Sequence, residues 1–396
     1  MSKITYSLFC LFWLVANADD LPTFRAEEIA SDLGIGYGVA VADVDGDGRN
    51  DILLCDRESI VWYQNPSWQK FIMVEKLTEK DHVCLAARDI DGDGKCEVAV
   101  GAQWNPSDTT DSGSVFYLKP PQDRRFLWVP VQLSHEPTTH RMKWVRNGAG
   151  RFDLIVVPLH GRGNVNGNGA GVRVLAYHRP ENPELPWNTT LVTDSMHLTH
   201  NLEIVPAGSS TEAESILLCG KEGIMRLDPT EKGWNTRWIS RHQELGLLGA
   251  GEVRWGAFAG GQPYIVAIEP MHGHQVVLYT PPAEGPKDGL WKRKIIDDSL
   301  IDGHAVACHD LLGMNNRQIV VGWRAHHKVG SKVGVKLFYT SKEDGSGWQH
   351  HLLDDEMACE DAVGADLDGD RDVDIIAAGR RTQNLKIYWN ERNPLR

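Results

Sequence analysis

"DVDGDGRNDILLC", residues 43 to 55, sets a tight acidic turn directly before a short apolar run. The glycines permit a left-handed turn, and "DILLC" has the length and content of a buried strand. The same order returns in "DIDGDGKCEVAVG" (89–101) and "DLDGDRDVDIIAAG" (366–379). Without the acidic turn, equivalent strands stand at "DLIVV" (153–157), "SILLCG" (215–220), "YIVAI" (264–268) and "QIVVG" (318–322). Seven such strands imply seven repeats, and a repeat of this length implies a ring or array.

Working outward, a small-residue strand precedes each apolar run and a third strand follows it, as in "IVWYQ", "SVFYL" and "QVVLY". A tryptophan then announces a fourth strand, at Trp68, Trp128, Trp187, Trp234, Trp291 and Trp348. Four short strands per unit, separated by Gly, Pro and Asp turns and free of 3.6-residue periodicity, describe the blades of a β-propeller. The seventh unit stops before its fourth strand. "FRAEEIASD" (24–32) precedes the first unit where a fourth strand belongs, so it is expected to pair into the last blade, close the ring and remove an open edge. The predicted architecture is all-β: a single seven-bladed β-propeller of four-stranded antiparallel blades over residues 19–396.

Residues 1–18 read as a secretory signal: Lys3, the apolar run "YSLFCLFWLVA", then Ala16-Asn17-Ala18. The chain is therefore expected to be exported, to a periplasm or to the medium. No later stretch approaches the ~20 apolar residues of a membrane helix. A formal net charge of -13, with no Lys/Arg-rich run, argues against nucleic acid as a partner. Cys55, Cys84, Cys96, Cys219, Cys308 and Cys359 are scattered, most of them inside strand-like runs, and are expected to be mostly buried thiols.

An antiparallel blade sorts its loops to two ends. The start of the first strand and the end of the second share one end, and the turn between them lies at the other. The second set holds Asp43, Asp45, Asp47 and Asp51; Asp89, Asp91, Asp93 and Glu97; and Asp366, Asp368, Asp370 and Asp374. Carboxylates at positions one, three, five and nine supply hard oxygens at the spacing of a structural Ca²⁺ loop, and so many like charges repel unless a cation offsets them. Arg371 replaces the Gly48 and Gly94 of the other loops, which is expected to strain the third turn. These repeats resemble the FG-GAP/VCBS-type propellers, a resemblance that spans the mature chain and implies the fold but not the function.

The first set is rich in imidazole. His140, His200, Glu252, His304 and the pair Glu360-Asp361 fall at first-strand starts. Arg57, Trp104, His160, Trp323, Arg324, Arg380 and the corner "EPMHGHQ" (269–275), with His272 and His274, fall at second-strand ends. Converging imidazoles and carboxylates can hold a divalent ion (Zn²⁺, Mn²⁺ or Mg²⁺) or perform acid–base chemistry. Trp and Arg side chains beside them suit a carbohydrate, stacking on its C–H faces and bonding its hydroxyls. His242, His326, His327, His350 and His351 fall in outer loops or strands and read as surface residues.

The His-bearing inner strands, the "MHGHQ" corner and the closing "CEDAVGADLDGD" are similar to the propeller domain of the aldos-2-ulose dehydratases. That resemblance implies a metal-assisted lyase that eliminates water from a keto sugar. The ion would be held by some of His200, His272, His274 and His304. His140 or His200 would act as base, Glu252, Glu360 or Asp361 would protonate the leaving oxygen, and Arg57, Trp104, His160, Trp323, Arg324 and Arg380 would bind substrate. A non-catalytic propeller that binds glycan or protein on the same face is the alternative.

Overall fold

Seven short strands, Gly38–Ala42, Cys84–Arg88, Thr139–Arg146, Thr199–Val205, Glu252–Ala257, Gly303–His309 and Cys359–Ala365, stand around a common axis. Each touches the next, and the last touches the first. Each is the innermost strand of a four-stranded antiparallel blade. The computed structural model describes residues 23–283, 289–326, 330–342 and 344–392. The expected leader, residues 1–18, and His327 lie outside the described residues. No helix among the described residues is long and apolar enough to cross a membrane.

The second strands carry the core. Asp51–Cys55, Glu97–Ala102, Ser215–Gly220, Gln318–Trp323 and Asp374–Gly379 are buried at every position. Both their faces meet neighbouring blades, which is why their sequences run apolar instead of alternating. Six free cysteines are all buried, as expected. Five of the marker tryptophans directly precede fourth strands that begin at Gln69, Val129, Asn188, Lys292 and Gln349. Trp234 instead lies inside Gly233–Arg241, because a tight hairpin pairs Thr230 with Gly233 in the fourth blade.

Ring closure follows the expected route. Phe24–Ala30 pairs antiparallel with Leu385–Asn390, Phe24 opposite Asn390, and supplies the seventh blade with its fourth strand. The Glu391 N–H donates to the Thr23 carbonyl at 2.9 Å, so the two ends of the described chain are neighbours.

The acidic turns share one hydrogen-bond pattern. The first Asp of each accepts two N–H groups: Asp43 from Gly46 and Gly48, Asp89 from Gly92 and Gly94, Asp366 from Gly369 and Arg371. To make its bond, Arg371 adopts φ 76°, beside 84° at Gly48 and 83° at Gly94. A side chain held in that left-handed region costs about 1 kcal/mol. Arg371→Gly is therefore expected to raise the thermal midpoint by roughly 1–3 °C, read by calorimetry, given the usual conversion for larger domains.

Candidate functional site

On four inner strands the pairing register slips at the same place. The slips fall between Thr139 and Arg141, Thr199 and Asn201, Gly303 and Ala305, and Cys359 and Asp361. The residues left unpaired are His140, His200, His304 and Glu360. A bulge of this kind re-aims its side chain, and repetition around the ring gathers the four at one end of the axis. His272 joins them from the corner after Pro263–Glu269, its backbone at φ 51°. A non-glycine residue in that region is strained, and such strain is commonly kept where a side chain must be placed.

The rings converge. His200 lies 4.8 Å from His140, 4.5 Å from His272 and 5.3 Å from His304, centroid to centroid, and His272 lies 4.9 Å from His304. Their orientation is set from behind. His200 Nδ1–H donates to the Gly251 carbonyl at 2.6 Å and His304 Nδ1–H to the Glu360 carbonyl at 2.6 Å. Each Nε2 is thereby left as a lone pair, the second-shell device that fixes the tautomer of metal-binding histidines. The Nε2 atoms of His200 and His272 approach to 2.6 Å, the spacing of an N–H of one ring donated to the other. One nitrogen from each of His200, His272 and His304 lies within 4.8 Å of the other two. Burial first, then nearby Arg141 and Arg324, holds the two buried rings neutral: His200 falls to about 3 and His304 also falls. His272, which keeps an exposed side, falls as well, through desolvation, its neighbour His200 and Arg324. Neutral imidazoles converging on one point fit a borderline divalent ion better than a purely oxygen-seeking one.

His140 does not keep a free nitrogen. Its Nδ1–H donates to the His200 carbonyl at 2.9 Å and its Nε2 accepts from Arg141 at 3.1 Å, which removes it as a base. Glu360 is likewise engaged. Arg324 donates to one oxygen at 2.6 Å and Arg380 to the other at 2.8 Å, so it anchors two cations instead of donating a proton. Asp361 points away from the trio, accepting N–H groups from Val39 and Ala362 at 2.9 and 3.0 Å. Glu252 remains. Among the described residues its Oε1 has no hydrogen-bond partner; it lies 3.3 Å from His200 Nδ1, and burial raises its pKa.

Of the other expected residues, the structure brings in some and excludes others. Arg324 is fixed by Asp302 at 3.0 Å and reaches His272 Nδ1 at 3.4 Å. Trp104 stacks on His140, centroids 4.9 Å apart. Trp323 is only 7% exposed, packs into the core and donates its indole N–H to Lys332, so it offers no face to a ligand. His274 is exposed and is not among the converging imidazoles. Arg57 is exposed, and its guanidinium lies 3.5 Å from Asp81. His160 is half-buried and in none of the ring contacts of the site; its Nδ1 is buried without a partner. His242, expected at the surface, is fully buried, held by Tyr279 at 2.9 Å and lying 3.4 Å from Glu269. Sequence reasoning missed Arg141 and Asp302. Each adjoins an inner-strand histidine or its lead-in, and that adjacency was the available signal.

At the opposite end the acidic turns bring together Asp43, Asp45 and Asp51; Asp89, Asp91 and Glu97; and Asp366, Asp368 and Asp374. Asp47, Asp93 and Asp370 stand outside these groups and accept the N–H two residues on, each at 2.8 Å. Burial, with neighbouring carboxylates adding to it, pushes Asp51, Glu97 and Asp374 up to about 7. Clustered hard oxygens that resist ionisation together fit Ca²⁺, whose charge would offset that repulsion.

Comparisons with known proteins bear on the fold and on the sugar-related similarity of the chain. Residues 112–282 match the aldos-2-ulose dehydratase β-propeller domain, and residues 43–100 match the FG-GAP-like repeat. Aldos-2-ulose dehydratase of Phanerodontia chrysosporium is 27% identical over 337 residues, covering 75% of this chain and 35% of that protein. The chain thus spans about a third of the length of that curated relative. Solved structures share the fold alone: a Kuenenia stuttgartiensis hydrazine synthase chain (TM-score 0.55, 10% identity, 90% of this chain and 96% of that one) and a chain of a mitotic checkpoint complex (0.56, 10%, 98% of each). The chain is a seven-bladed β-propeller, similar over residues 112–282 to the aldos-2-ulose dehydratase propeller domain and over residues 43–100 to the FG-GAP-like repeat.

Proposed function

We propose that the imidazole end of the ring eliminates water from a keto sugar or keto glycoside, as a metal-assisted carbon–oxygen lyase. The observation that carries this is an asymmetry within the trio: only His200 has a carboxylate, Glu252, at its rear nitrogen. His272 and His304 would hold the divalent ion. When bound, that ion would polarise the sugar carbonyl and acidify the neighbouring C–H. His200 Nε2 takes the proton from that carbon, and its imidazolium is stabilised by Glu252 behind it. The C=C forms, the β C–O bond breaks, and His200 returns the proton to the leaving oxygen as water. Arg324, locked by Asp302 and Glu360, offers guanidinium N–H groups to the oxygen on which charge accumulates. Trp104 beside His140 supplies an apolar wall.

The test is incubation of the metal-loaded chain with a panel of keto sugars and 3-keto glycosides, followed by the absorbance of a conjugated enone. A rise with at least one compound is expected. A flat trace across the panel would overturn the lyase and leave glycan or protein binding as the role.

We further infer that the acidic turns hold structural Ca²⁺. Each ion present at a hundred times its dissociation constant contributes about 2.7 kcal/mol. A calcium-selective chelator is therefore expected to lower the melting midpoint by several degrees, reversibly on adding Ca²⁺, and an unchanged midpoint would remove the ions from the account.

A further inference from the structure

Below the histidines the axis opens into a second cavity of about 360 Å³, at the acidic-turn end, lined by all seven inner strands. Its charge is opposite to that of the chain. The protein carries -13 overall, yet the cavity presents Arg88, Lys143, Arg254 and Arg317 against one acid, Glu203. Arg88 is neutralised by a two-pronged bond to Glu214, both contacts 2.8 Å. Arg254 lies 3.9 Å from Glu203 and 3.5 Å from Glu252. The other two cations are unspent. Lys143 has no hydrogen-bond or ion-pair partner among the described residues, and the only hydrogen bond of the Arg317 side chain among them goes to the Cys308 carbonyl, at 3.2 Å. His309, on the same wall, is held down to about 4, by burial first and then by Arg317 and Arg254. Enclosure by low-dielectric walls concentrates such a field on whatever small ion enters.

We propose that this cavity is a binding site for a small oxyanion, held by Lys143, Arg317 and Arg254 and separate from the histidine end. A guanidinium and an ammonium facing one pocket suit a sulfate, phosphate or carboxylate group, carried either by a free inorganic ion or by an acidic sugar. The volume admits a ligand of monosaccharide size.

Titration calorimetry on the full chain, with sodium sulfate and separately with sodium glucuronate at constant ionic strength, tests it without reference to catalysis. Saturable one-to-one binding of at least one probe is expected. Sulfate alone identifies the free inorganic ion as the ligand class, and glucuronate alone the acidic sugar. Removing one charge-assisted contact by Lys143→Met or Arg317→Gln is expected to weaken that binding about tenfold or more. Arg49→Gln, a cation of the same end outside the cavity, should leave it within about twofold. Saturation by neither probe, or undiminished binding in both cavity variants with their melting midpoints retained, would overturn the proposal.

Discussion

His200→Ala is expected to lower enone production by about 10²–10⁴-fold, the usual contribution of a positioned proton carrier, while the bound divalent ion is largely retained. His272→Ala should fail differently, losing the ion as well as turnover, because it removes one of the two nitrogens assigned to hold the metal. Two residues on, His274→Ala should change neither, since that side chain is not among the grouped imidazoles. The contrast is sharp because all three substitutions remove an imidazole from the same end of the ring. Metal analysis beside steady-state kinetics separates the roles. Equal loss of metal in His200→Ala and His272→Ala would make His200 a ligand and leave the proton carrier unassigned. Glu252→Gln adds a further check: it keeps the side-chain shape but cannot stabilise an imidazolium, so kcat should fall with KM nearly unchanged. None of these changes should move the melting midpoint by more than a few degrees, which circular dichroism can verify.

How much of this was legible in the sequence follows from what periodicity can carry. The apolar runs at 51–55, 97–101 and 374–379 and their turns announced strands, blades and the strand that closes the ring, because burial on both faces leaves an uninterrupted signal. The two ends were also legible, since the order of turns around an antiparallel blade is topological. Side-chain direction was not. A one-residue bulge at His140, His200, His304 and Glu360 reverses which way a residue points, and nothing in composition marks it. The same blindness explains Trp323, which turned into the core, and His274, which is not among the converging imidazoles. Glu360 read as a proton donor because its neighbours in space, Arg324 and Arg380, are 36 and 20 residues away in sequence. Engagement of a side chain by distant partners is a tertiary fact.

Deleting residues 1–30 is expected to abolish the cooperative fold, though none of residues 23–30 belongs to the histidine group or the acidic turns. Among the described residues, Phe24–Ala30 alone pairs with the outer edge of Leu385–Asn390, and its removal exposes a full row of backbone donors and acceptors. Ile29 and Ala30 also pack on the cluster that holds Leu385 and Ile387, so the seventh blade loses apolar contact along with its hydrogen bonds. The newly bared edge of Leu385–Asn390 can pair between molecules, so aggregation is the expected readout by light scattering. A circular permutant distinguishes loss of the strand from loss of the terminus. Antiparallel pairing of Phe24 with Asn390, and the 2.9 Å bond from Glu391 to Thr23, place these ends where a turn of about four residues can join them. With the strand moved behind Glu391 through such a turn, and the new start near Asp32, the seventh blade becomes an ordinary four-stranded meander. That permutant should melt cooperatively within a few degrees of the parent chain. A deletion that folds as well as the parent, or a permutant that does not fold, would show that the ring is held by something other than this closure.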